Sequence, residues 1–284
     1  MSPIALLLVL LAALCHSAWN LIVKTDARRL EIQSGALVVG TLLCAPVLLF
    51  HSPWTLPPLA WAAVAVSALF ESAYVLALTS AYAAGDMSLV YPVARGTGTV
   101  LVAPLAVLLL GERPSLQGAV GIGLVVVGIL LSHGALSGWA AARAHRHALG
   151  WALLTGALIA GYSLVNKVGV TLAPVPLYAF LVFLADAALV RLVQRWRGGS
   201  APVLRRDAPW GRIVAVGVLM MGAYLAVLLA MSQAPVSYVV ATREISVVVA
   251  ALLGALVLHE RHSAARVAGA VVIFGGLCAI ALAR

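Results

Sequence analysis

Residues 95–115 read RGTGTVLVAPLAVLLLGERPS, and residues 243–263 read REISVVVAALLGALVLHERHS. Each stretch opens on an arginine, runs through apolar residues and closes on Glu-Arg-x-Ser. Arg95 to Glu112 spans 17 positions, and so does Arg243 to Glu260. The ungapped offset of 148 continues outward: Arg113 meets Arg261, Ser115 meets Ser263, Gly121 meets Gly269 and Gly128 meets Gly276. Nearer the start of each half, Ser17-Ala18-Trp19-Asn20 resembles Ser163-Leu164-Val165-Asn166. Apolar residues match by chance, but matched Arg, Glu, Ser and Gly at one offset mark an internal repeat.

Around these stretches the chain is almost wholly apolar. Of its 284 residues, 63% are hydrophobic and 10% charged, where a soluble domain carries about 25% charged residues. Uninterrupted apolar runs of about twenty residues recur from end to end, each long enough to cross a hydrocarbon core about 30 Å thick. They are too long for barrel strands and do not alternate in polarity. The spanning element is the helix, which satisfies its own backbone hydrogen bonds in lipid. The fold class is therefore all-α integral membrane. The formal charge of +9 sits mostly in short segments between apolar runs, facing headgroups, and does not form a nucleic-acid surface.

Ten transmembrane helices are expected, at roughly 3–23, 32–50, 59–82, 88–110, 115–132, 148–170, 173–194, 210–231, 235–258 and 262–282. The first run lacks a basic leader and continues to Val23, so it reads as a spanning helix and not a signal peptide. The division is a first repeat over 1–132, a connecting loop over 133–147 and a second repeat over 148–284. Five helices per half means that the second half enters the membrane from the opposite side. This is the inverted-topology repeat that gives alternating access around a midplane site. An even helix number puts both termini on one side. Lys and Arg in the short loops, counted literally, turn that side outward.

The sequence resembles a ten-helix, EamA-type member of the drug/metabolite transporter superfamily. The resemblance rests on Ala84-Gly85-Asp86-Met87-Ser88-Leu89-Val90-Tyr91-Pro92, on Gly111-Glu112-Arg113-Pro114-Ser115 with Gln117 and Gly121, and on the counterparts Ala234-Pro235-Val236-Ser237 and His259-Glu260-Arg261-His262-Ser263 with Gly269. It implies a transporter that exports or exchanges small metabolites, amino acids among them. Related branches carry nucleotide sugars or phosphorylated sugars and bind the anion with basic residues on the corresponding helices. Relatives are expected to keep both termini cytoplasmic, against the charge count. Many also place an acidic residue followed by proline in the ninth helix, where this chain has Arg243-Glu244-Ile245.

A charge at mid-helix costs about 2.5–3.5 kcal/mol on insertion scales, so Glu71, Arg95, Lys167, Asp186, Arg243 and Glu244 each need a reason. Arg95 and Arg243 occupy equivalent places, and inverted symmetry brings them to one axis. Guanidinium groups match carboxylate or phosphate with two parallel hydrogen bonds, so the pair is expected to clamp an anionic or zwitterionic substrate. The structural alternative pairs Arg95 with Glu71, and Arg243 with Asp186 or Glu244. Tyr91 lies one turn before Arg95 with Pro92 between them, and Tyr238 lies in the same region of helix 9. His16, Trp19 and Asn20 share a face of helix 1, with Ser163 and Asn166 on the matching face of helix 6. These extend the expected substrate-binding set. Glu71 and Glu244 are the proton-coupling candidates. Glu112 and Glu260 end their helices and are expected to orient loops. The glycines of helices 5 and 10 are expected to allow close packing.

No catalytic constellation, metal-ligand spacing or cofactor-binding loop is readable, and Cys15, Cys44 and Cys278 read as small packing residues. The expected function is a secondary active transporter, an exporter of small anionic or zwitterionic metabolites such as amino acids. Its expected partners are that substrate and membrane lipids, with no nucleic acid and with a monomeric or homodimeric state. The competing readings are lipophilic-cation efflux, lipid-linked sugar flipping and a non-transporting membrane scaffold.

Overall fold

The structure is a computed structural model that describes residues 1–24, 26, 28–85, 87–132, 146–196, 208–246, 248–249 and 264–283. Ten α-helices lie among the described residues: α1 Pro3–Lys24, α2 Arg29–Cys44, α3 Pro58–Ala84, α4 Met87–Leu110, α5 Leu116–Ser132, α6 Arg146–Leu172, α7 Val175–Trp196, α8 Trp210–Gln233, α9 Val236–Arg243 and α10 Ala264–Leu282. Seven of the helical segments are long and apolar enough to cross a membrane, and those of α5 and α10 are shorter apolar helices. The remainder of the expected ninth helix falls mostly outside the described residues, as does Glu260.

Local chemistry sets the ends. Pro58 opens α3 at a position where no backbone N–H is needed. Gly111, at φ +66°, follows the end of α4 in the left-handed conformation that glycine adopts without strain. The second apolar run is not one straight helix: α2 stops at Cys44, and Ala45–Leu49 continues as a 3-10 turn around Pro46, which has no N–H to donate.

Side-chain size is sorted as lipid demands. On α1 the large residues Ile4, Leu7, Leu11 and Leu14 are exposed, while Ala5, Val9, Ala12 and Ala13 are buried. With hydrocarbon outside, large apolar residues are at home on the surface, and small ones let helices approach.

The symmetry expected from the repeat is visible in how α5 crosses α10. A Cβ on Gly121 would meet the Gly276 carbonyl oxygen at 2.8 Å, and one on Gly276 would meet that of Gly121 at 2.7 Å. One on Gly128 would meet the Gly269 oxygen at 2.8 Å. By the offset, Gly121 is equivalent to Gly269 and Gly128 to Gly276. Each glycine therefore meets the counterpart of the other, as residues across a twofold axis do. Elsewhere the halves exchange partners in the same reciprocal way: α3 packs on α6, and α1 on α8. The Met1 amino group donates to the Ala283 carbonyl at 3.1 Å, so both ends lie on one side.

Candidate functional site

Polar side chains within the helices gather in two places. The first lies where α4 meets the end of α9. Arg95 is buried, and its guanidinium grips Glu244 in a two-pronged pair, Nε to Oε2 at 3.2 Å and Nη2 to Oε1 at 2.9 Å. The Thr99 hydroxyl donates to Glu244 Oε1 at 3.5 Å. Arg95 is the ninth residue counting from Met87, and Glu244 the ninth counting from Val236. By the offset of 148 the counterpart of Arg95 is Arg243, the chain neighbour of Glu244, so the contact between Arg95 and Glu244 puts this ion pair close to the pseudo-twofold axis, at the junction of the halves.

Arg243, the last residue of α9, is half-buried and forms no hydrogen bond or ion pair among the described residues. It acts electrostatically on Glu244 and, together with Arg95, on His16 of α1. The His16 ring stands edge-on to Trp19, with centroids 5.0 Å apart. The hydroxyls of Thr242 and Ser246, on either side of Arg243 and Glu244 in the chain, are buried without a partner among the described residues, and so is that of Ser17 beside His16. The Ser163 hydroxyl of α6 and Arg191 Nε of α7 are likewise buried without a partner among the described residues, so such groups are spread over the bundle.

The second place joins α3, α6, α7 and α8. Glu71 is the central residue of the 27-residue α3, and Asp186 lies at the centre of the 22-residue α7. Glu71 Oε1 accepts from Ser67 at 3.2 Å, Asn166 Nδ2 at 3.1 Å and Tyr224 at 2.9 Å. Asn166 Oδ1 accepts from Ser67 at 2.6 Å and Tyr178 at 2.9 Å. Asp186 accepts from Ser72 at 3.1 Å, and its carboxyl interacts with that of Glu71. Neither acid has a basic partner among the described residues. Two carboxyls this close do not both hold a full charge at mid-membrane, and the pair suits a shared proton.

Two expected ion pairs are thereby corrected. Arg95 pairs with Glu244 and not with Glu71, because α4 meets α9 at that level. Asp186 turns to Ser72 and Glu71, and Arg243 has no ion pair with it. The other expected site residues divide. Asn20 is exposed and donates to its own helix at the His16 carbonyl, 2.7 Å, while its counterpart Asn166 is buried in the acid network. Tyr238 is buried away from the arginines: its hydroxyl accepts from the Ser115 N–H at 3.0 Å and lies against Gly118 of α5. Tyr91 belongs to α4, and its side chain lies outside the described residues.

Glu112 and Lys167 are helix caps. The Glu112 carboxylate accepts from the N–H groups of Val236 and Ser237 and from the Ser237 hydroxyl at 2.7 Å, placing negative charge on the N-terminus of α9. Lys167 donates to the Met231 and Ala234 carbonyls at 2.5 and 2.9 Å, at the C-terminus of α8. Sequence reading missed Thr99, Tyr178 and Tyr224, whose hydroxyls carry no periodic signal, and it offered Asp186 only as an arginine partner. Among the described residues, no three His, Cys, Asp or Glu side chains cluster as metal ligands would.

Ten helices in two reciprocally packed halves, most of them long and apolar and with charged groups held inside, define a multi-pass membrane protein. The chain belongs to the EamA-like transporter family, which it matches twice, over residues 3–133 and over 147–282. Members of that family are transporters rather than enzymes. A crystal structure of a protein 19% identical to it shares the fold, with a TM-score of 0.76 over 98% of each chain. No curated protein sequence matches it.

Proposed function

We propose that this protein is a secondary active transporter, an exporter of small anionic or zwitterionic metabolites such as amino acids, working by alternating access in the cell membrane. The observation that carries this reading is the arginine cluster at the junction of the repeats. Arg95 and Arg243 outnumber Glu244, so the cluster is one positive charge in excess. A cationic site between two inverted halves favours a substrate with an acid group. Export is the direction the family resemblance favours. In the same reading, the Glu71–Asp186 pair supplies the coupling proton, a role suited to acids at mid-membrane with no cation beside them.

The test is thermal stability of the purified protein against anionic, zwitterionic and cationic metabolites, repeated with Arg95→Ala and Arg243→Ala. Ligand binding to the folded state raises stability by mass action. Stabilisation by amino acids or anions that both variants abolish supports the reading. The acid pair motivates a second reading, efflux of lipophilic cations. Stabilisation by cations alone, lost in Glu71→Gln and kept in Arg95→Ala, would select it instead.

A further inference from the structure

Glu244 sits where a substrate acid group would sit. Its two oxygens take Nε and Nη2 of Arg95 in the side-on fork that a carboxylate ligand would use. An incoming acid group therefore competes with a carboxylate the protein already holds there. We propose that Glu244 is an internal stand-in for the substrate: the substrate's acid group displaces it from Arg95, and the freed carboxylate then takes one positive charge, either the ammonium of a zwitterionic substrate or a proton from solvent. This rests on the reading of the arginine cluster as the substrate site, and it adds the identity of the competitor and the charge that moves.

The surroundings leave the displaced carboxylate few other partners. Glu244 is buried, with 2% of its surface exposed. Facing it are Arg95 and Thr99 from α4, with Arg243 beside it in the chain, and His16 of α1 lies within the reach of the same two arginines. The α5 helix carries no ionisable residue, Cys278 of α10 is exposed, and the side chain of Arg266, near the start of α10, lies outside the described residues. Lys167 of α6 is held by the end of α8, and Tyr224 of α8 by Glu71. A carboxylate loosed in such a place attracts a cation or is neutralised by protonation.

The count of charge separates the two arms. The cluster begins at +1 from Arg95, Arg243 and Glu244. With a 2-hydroxy monocarboxylate bound and Glu244 protonated, two arginines and one anion again sum to +1; malate and aspartate each carry one more negative charge, which lowers both sums to zero and leaves the difference of one proton between them. With an amino acid bound, its carboxylate goes to the arginines and its ammonium to the Glu244 carboxylate. The sum is again +1, with no proton taken.

The experiment compares matched ligands on the purified full-length protein in detergent: L-leucine with L-2-hydroxyisocaproate, and L-aspartate with L-malate. Affinity and proton uptake are measured by calorimetry in buffers of different ionisation enthalpy. In the wild type, each hydroxy acid is expected to bind with uptake of one proton and each amino acid with none. Glu244→Gln removes the competitor and the ammonium acceptor together. It is expected to bind the hydroxy acids about tenfold more tightly without proton uptake, since Arg95 becomes freely available, and to bind the amino acids more weakly. Hydroxy acids that bind the wild type without a proton would overturn the proposal, and that measurement needs no variant. So would an unchanged preference in Glu244→Gln while Arg95→Ala loses all binding, a result that keeps the arginine site and removes only the displacement. If neither wild type nor Glu244→Gln binds any of the four, the displacement and the substrate-site reading fall together.

Discussion

The arginine cluster and the acid cluster lie in the same bundle, but they are neutralised in different ways. Arg95 has its counter-charge built in, from Glu244, the residue next to its own counterpart Arg243 in the other half. Glu71 and Asp186 have only neutral hydrogen-bond partners and each other. The first arrangement is stable as fully charged groups, and anything that breaks the pair leaves a naked ion. The second holds together only by binding a positive charge from outside, so removing one of its negative charges is mild. In the proposed reading, one cluster recognises a charged group and the other loads and releases a proton.

The sharpest way to break this contrast is to remove one charge from each cluster. Arg95→Ala strands Glu244 and is expected to cost about 3–5 kcal/mol of stability. The double variant Arg95→Ala/Glu244→Ala is expected to recover much of that loss, which a double-mutant cycle of unfolding in detergent would measure. Glu71→Gln keeps the shape and most hydrogen bonds while lowering the local negative charge, so its cost is expected to stay within about 1 kcal/mol. Its effect appears instead in the pH dependence of transport in proteoliposomes, which flattens. A Glu71→Gln variant as unstable as Arg95→Ala would mean that Glu71 has a fixed cationic partner and that the two clusters are not different in kind.

A gentler cut uses the repeat itself. Asn20 and Asn166 hold matching places in the two halves, yet Asn166 links Glu71, Ser67 and Tyr178 at 2% exposure while Asn20 bonds only its own backbone. Asn166→Ala leaves several buried groups unpaired and is expected to cost about 1–3 kcal/mol. Asn20→Ala is expected to stay within about 0.5 kcal/mol. Equal effects in thermal unfolding would show that the acid network does not depend on its asparagine.

These asymmetries also explain what can be read without coordinates. The ten helices are legible because apolar runs of spanning length alternate with Gly, Pro and charged breaks. The predicted 88–110 and 115–132 correspond closely to Met87–Leu110 and Leu116–Ser132. The repeat is legible in residues too specific to match by chance, and Gly121, Gly128, Gly269 and Gly276 then meet in a reciprocal crossing. Partnerships inside the bundle are not legible in the same way. The structural alternative to the arginine clamp sets Arg95 beside Glu71, but its partner lies 149 residues away across the pseudo-axis. Inverted symmetry brings equivalent places together and does not dictate that equivalent residues do equivalent work. Tyr238 is drawn to Ser115 and Gly118 by the start of α5, and nothing in its spacing from Arg243 foretells that. Tyr224 and Tyr178 sit in apolar runs where a hydroxyl looks incidental until Glu71 and Asn166 are placed beside it.

A third polar pair, outside the spans, sets the lower end of the scale. Asp26, in the connection between α1 and α2, accepts from the Arg28 N–H at 2.7 Å and pairs with Arg212 of α8. The Arg28 N–H first, then the Arg212 guanidinium, hold its carboxyl below the usual carboxylate range against a smaller opposing effect of burial. A carboxyl whose pKa is lower folded than unfolded adds stability above its unfolded pKa, about 3.9, and loses that contribution as pH falls through the folded value. Asp26→Asn is therefore expected to lower the melting temperature slightly at pH 7, by less at high salt, and not at all once the pH is well below the folded value. The Arg95–Glu244 pair, shielded from solvent, is expected to respond little to salt, whereas this one, with the Arg212 side chain half exposed, is expected to fade with it. A melting difference between wild type and Asp26→Asn that persists unchanged at low pH would show that the residue acts through its turn geometry and not through its charge.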